Sequence, residues 1–127
     1  MKRAGVKIEK GLTVDLLLLI QQVRKAGFSR PVTEYEFAFL KLGRKWRFDL
    51  AWLELKVAFE REGIGGKHPQ SIGAHQTKEG VARDCEKSNA AMILGWIVIR
   101  GTAVMLKSGL AAKQLIEALQ TRVKENR

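Results

Sequence analysis

The chain is short of cysteine, proline and tyrosine, with one Cys, two Pro and one Tyr in 127 residues. The lone Cys85 excludes an intrachain disulfide and a thiolate zinc cluster, and it suits a reducing compartment. Long apolar runs are also missing. The longest, VDLLLLI, falls well short of the roughly 18 residues that a membrane span takes, and polar residues follow it. The basic start MKRAGVKIEKG leads into no signal-peptide core or small-residue cleavage site, so a cytoplasmic chain with no membrane partner is expected. Acids are scarce as well. The 13 Asp and Glu stand against 23 Lys and Arg, a formal net charge of +10. That balance favours a polyanionic partner, nucleic acid first.

What is present is ordinary globular material, 46% hydrophobic and 28% charged. It is enough for one compact domain over residues 1–127 and argues against disorder. Periodicity predicts a helix over 12–26, with Thr13 as cap and Leu16, Leu19, Ile20 and Val23 as its apolar stripe. VTEYEFAFLKL (32–42) alternates like a strand, with Tyr35, Phe37 and Phe39 on one side. Trp46–Trp52 and Leu55–Glu62 both have period two and read as a hairpin around a two-residue turn, Leu53-Glu54. The glycine-rich stretch 63–76 reads as a loop. A helix follows over 77–94, with Val81, Cys85, Met92 and Ala91 as its candidate inward residues. WIVIRG (96–101) reads as a strand buried on both faces. A last amphipathic helix closes the chain, with Leu110, Leu115, Ile116 and Leu119 on its apolar side. This order predicts an α/β (α+β) architecture, a central mixed sheet flanked by helices.

The hairpin RFDLAWLELKVAFEREG (47–63) is the unusual part. Carboxylates are poor strand formers and repel one another on one face. A two-residue turn sets Asp49 opposite Ala58, with Glu60 diagonal to it and Glu62 further along the same face. Diagonal neighbours stand roughly 7 Å apart, so their carboxylates could share one ion. Two readings stay open at this level. The face is a solvated one whose acids pair with Arg47, Lys56 and Arg61, or it holds a hard divalent cation, which needs few carboxylates beside water and phosphate oxygen.

The ordered set WRFDLAW, LKVAFEREG, a histidine, DCEKSN and GWIVIR resembles small phage and prophage nucleases of the PD-(D/E)xK superfamily, related in fold to very-short-patch-repair endonucleases and Holliday-junction resolvases. The likeness spans about residues 34–101. It implies a restriction-endonuclease-like fold and a Mg²⁺- or Mn²⁺-dependent endodeoxyribonuclease acting on branched or structured DNA in recombination or repair, inside a bacterial host cell. Asp49 matches the metal-binding aspartate and Glu60 the acid of the (D/E)xK element. Glu62 stands where the lysine usually is, as a further metal ligand or an orienter of the attacking water. Lys87 is a substitute for that lysine, His75 a candidate base or phosphate ligand, and Glu34 an upstream acid. His68 lacks the family's register. The carbonyl of Arg61 is a further candidate metal ligand.

Arg44, Lys45, Lys67, Lys78 and Arg83 flank these positions and are candidate DNA contacts. Two-fold cleavage of a junction implies a homodimer, with the first or last helix as its surface. The alternative is a non-catalytic nucleic-acid-binding protein on a nuclease fold, for which the missing lysine is the best argument.

Overall fold

The computed structural model describes residues 12–63 and 77–126. The first helix, α1, spans Val14–Lys25, and the Thr13 hydroxyl accepts from the Leu16 N–H at its start. Strand β1 (Val32–Glu36) and the short α2 (Phe39–Leu42) follow, then β2 (Arg47–Trp52) and β3 (Val57–Arg61). Helix α3 (Lys78–Ile93) is capped by Thr77, whose hydroxyl accepts from Gly80 N–H at 2.9 Å. Strand β4 (Ile97–Gly101), α4 (Ala103–Ser108) and α5 (Leu110–Glu125) complete the order. Each threonine cap satisfies one amide that the first helical turn leaves unpaired, worth about 1 kcal/mol.

The fold is mixed α+β, a four-stranded sheet in the order β1-β2-β3-β4 with helices packed against it. The pairs β1–β2 and β2–β3 are antiparallel, and β3–β4 is parallel. A parallel neighbour needs a crossover, and the segment holding α3 supplies it.

Two apolar clusters flank the sheet. The larger joins Leu16, Leu19, Ile20 and Val23 of α1 to Leu50, Trp52, Val57 and Phe59, and to Leu115 and Leu119 of α5. The expected stripe of α1 is buried residue for residue. The smaller cluster gathers Phe37, Phe48, Trp96 and five alanines: Ala38, Ala51, Ala58, Ala90 and Ala91. Small side chains on both the sheet and α3 meet in this cluster, and the helix lies closest to β4.

Several expectations need correction. The hairpin turn runs over four residues, Leu53 to Lys56, because Lys56 takes a left-handed φ of 53°. Leu50 therefore pairs with Phe59 and Ala51 with Ala58. One step further along that register, Asp49 stands opposite Glu60, not Ala58. Strict alternation would set Trp46, Phe48, Leu50 and Trp52 on one face of β2, and they are split. Trp46 and Phe48 pack in the smaller cluster, Leu50 and Trp52 in the larger. The facing strand explains the switch: Thr33 pairs with Leu50 and Tyr35 with Phe48, while Glu34 between them has a φ of 53°. A left-handed residue in a strand twists it locally, and the alternation changes side there.

β1 ends at Glu36, and the alternation of Phe37 and Phe39 breaks as the chain turns into α2. Phe37 is buried and Phe39 exposed. Strand β4 is the last strand of the described sheet, and its Ile97, Val98 and Ile99 are half-buried. Helix α4 is an additional element between β4 and α5, and Leu110 is exposed.

Candidate active site

Helix α3 presents an unexpected face to the sheet. Val81, Cys85 and Met92, predicted to point inward, are exposed, Met92 at 72%. Asp84, Lys87, Ser88, Ala91 and Met92 line a cleft of about 410 Å³ against Phe48, Glu60, Glu62, Trp96 and Arg100. The reason lies in the strand face beneath. Acids at Glu60 and Glu62 need cations or water opposite them, so the polar side of α3 is turned in.

Lys87 Nζ meets Glu60 Oε2 at 2.5 Å, and both side chains are largely covered, 24% and 17% exposed. Asp49 Oδ2 accepts the backbone N–H of Arg61 at 2.7 Å. That amide lies just beyond the paired part of the β2–β3 ladder, so the carboxylate satisfies a donor the sheet leaves over. Burial pushes the Asp49 carboxyl above the usual range. The Arg61 amide and Lys87 oppose that push, and the charges of Glu34 and Glu62 add to it. Burial likewise raises Glu60, against the Lys87 hydrogen bond and charge, with Asp49 adding to the rise. Glu34 thus belongs to the electrostatic surroundings of Asp49. Its own carboxylate is 3.9 Å from Arg47.

Glu62 is turned to the neighbouring strand. Its carboxylate accepts from Arg100 Nε at 2.8 Å. Arg61 points to the opposite side of the sheet, with Nε 3.0 Å from Asp15 on α1. This is the period-two alternation of β3, with Glu60 and Glu62 on one face and Arg61 on the other. The Asp15 carboxyl lies below its ordinary range. Burial opposes that shift, and the Thr13 hydroxyl and Arg61 outweigh it.

Two of the partners that the solvated-face reading expects for these acids are engaged elsewhere. Arg61 pairs with Asp15, and Lys56 Nζ donates to the Leu94 carbonyl at 2.8 Å. Asp49 and Glu60 are partly buried carboxylates held by the N–H of Arg61 and by Lys87, not a solvated row. Among the described residues, no group of three or more His, Cys, Asp or Glu is gathered closely enough to hold a metal. A magnesium-like ion needs only one or two carboxylates and completes its shell with water and phosphate. Asp49 and Glu60 fit that demand. Each keeps one carboxylate oxygen that accepts no hydrogen bond among the described residues. Both are pushed toward protonation, a push that a cation reverses.

His75 and Lys67 lie outside the described residues, as does His68. Lys45, Lys78 and Arg83 are exposed. Arg44 lies 4.0 Å over the Trp46 ring and 3.6 Å from Glu86, so its charge is already shared. The site residue that sequence reading missed is Arg100. Its signal was present: Trp96, Val98 and Arg100 share a parity, and Trp96 and Val98 belong to the smaller cluster.

No family model matches the chain, and no curated protein and no solved structure matches it. Among the described residues, no helix is long and apolar enough to cross a membrane.

Proposed function

We propose that the protein is a metal-dependent DNA endonuclease of the PD-(D/E)xK type that hydrolyses phosphodiester bonds in branched or structured DNA. One observation carries the reading. The β2–β3 register carried one step further sets Asp49 opposite Glu60, Glu60 lines an open cleft, and Lys87 reaches Glu60 from the next helix. The lysine missing at position 62 is thereby replaced in space by one 25 positions later in the chain. The net charge of +10 brings a polyanion to this cleft.

Asp49 and Glu60 would hold Mg²⁺ or Mn²⁺, with the Arg61 carbonyl as a further ligand. The ion supplies Lewis-acid stabilisation of phosphate charge and a more acidic water. Lys87 holds the Glu60 carboxylate in place and offers an ammonium beside the reacting phosphate. A nucleophilic water attacks in line, assisted by Lys87 or His75. Two cuts across a four-way junction would take two copies of the chain.

A second reading has an observation of its own. Lys87 already neutralises Glu60, which suits binding without cutting. A cleavage panel over linear, nicked, flapped and four-way DNA with Mg²⁺ or Mn²⁺ separates the two. Cutting of any of these that chelator abolishes supports the nuclease. Binding throughout with no cutting supports the alternative.

A further inference from the structure

Glu62 is tied to β4 twice. Its backbone N–H donates to the Gly101 carbonyl at 2.8 Å, and its carboxylate accepts from Arg100 Nε at 2.8 Å. The parallel register sets Arg100 beside Glu60. Arg100 lines the same cleft as Lys87, and its side chain is 46% exposed. Only Nε is used by Glu62. Among the described residues, the two Nη groups of Arg100 make no hydrogen bond. An arginine held at Nε by a carboxylate presents its remaining donors as a fixed fork, which suits a phosphate group.

The Arg100 guanidinium already supplies a cation to the Glu62 carboxylate and holds it against the neighbouring strand. We propose that Arg100 contacts a backbone phosphate of DNA bound in the cleft and that Glu62 is its positioning residue, not a metal ligand. This rests on the nuclease reading for the identity of the site, but the phosphate contact is measurable without cleavage.

The probe is a fluorescein-labelled four-way DNA junction, titrated by anisotropy in chelator at several salt concentrations. Arg100→Ala is expected to weaken binding about tenfold and to reduce the salt slope by about 1. Arg100→Lys keeps the charge and the slope but loses the fork, so binding weakens by a smaller factor. It also reads the contact should Arg100→Ala fail to fold. Glu62→Gln is expected to weaken binding less than Arg100→Ala. Combining the two changes is expected to add nothing to Arg100→Ala alone.

In a Mg²⁺ titration of cleavage, Glu62→Gln leaves the half-saturating concentration within about twofold. Unchanged binding and slope in Arg100→Ala would overturn the inference. So would an about tenfold higher Mg²⁺ requirement in Glu62→Gln, additive effects of the two changes, or no binding by the wild type. A wild type that binds through Arg100 yet never cleaves removes the nuclease reading and leaves this contact standing.

Discussion

Lys87 on α3 reaches Glu60 on β3, with 2.5 Å between Nζ and Oε2, across 27 positions of sequence. The pair joins the crossover helix to the strand beneath it and sets the charge at the floor of the cleft. Lys87→Met removes the ammonium that opposes the effect of burial on Glu60. Its carboxyl then moves further above the ordinary range, and cleavage is expected to fall by about 10²-fold. The rising limb of the pH–rate profile is expected to shift to higher pH, because Glu60 must lose its proton to serve as a ligand. Loss of a partner for a largely covered carboxylate costs about 1–3 kcal/mol of stability. Lys87→Arg preserves an ion pair and is expected to lose less on both measurements.

Asp49 gives a stability prediction with a definite sign. Burial raises the carboxyl in the folded protein, so the folded state holds its proton to higher pH than the unfolded chain does. Stability falls as pH rises from the ordinary carboxylate range through the raised folded value. Asp49→Asn keeps an oxygen for the Arg61 N–H and removes the charge. In chelator at pH 7 it is expected to show a higher denaturation midpoint than the wild type, with the difference vanishing at acid pH. Millimolar Mg²⁺ or Mn²⁺ is expected to raise the midpoint of the wild type and not that of the variant.

Gly101 marks the close approach of β4 to the core. A Cβ there would lie 2.9 Å from Phe59 Cζ and 3.3 Å from Ala111 Cβ. Phe59 and Ala111 are both fully buried, so neither can retreat into solvent. Gly101→Ala is expected to cost about 1–3 kcal/mol in urea unfolding. It adjoins Arg100, so DNA binding should weaken with it.

Phe48 is the hub of the smaller cluster. It stacks on Phe37 with ring centroids 4.0 Å apart and meets Trp96 at 4.9 Å, while 1% of it is exposed. Phe48→Ala is expected to destabilise the protein by about 3–5 kcal/mol. Phe48→Leu fills more of the space and should cost less in the same unfolding measurement.

Much of this arrangement could be read in the sequence because its periodicities are clean. The stripe of α1, the two strands of the hairpin and the Thr13 cap need only local rules. The hairpin register was not legible, because it turns on Lys56 adopting a left-handed backbone that no residue type announces. That shift of two positions brings Asp49 opposite Glu60. The inward face of α3 was misjudged for a related reason. Hydrophobicity alone selects Val81, Cys85 and Met92, while the charges on the sheet below select Asp84 and Lys87. The partner of Glu62 was hidden because β3 and β4 are joined by a long crossover, so the neighbour of Glu62 is set by parallel register, not by sequence distance.

The most direct test of the central claim compares wild type and Asp49→Asn on a labelled four-way DNA junction in Mn²⁺ or Mg²⁺, following strand cleavage on a denaturing gel. The account predicts cleavage by the wild type, its abolition by chelator, and loss of at least about 10²-fold in the variant with junction binding retained. Metal-dependent cleavage that survives Asp49→Asn undiminished would contradict it.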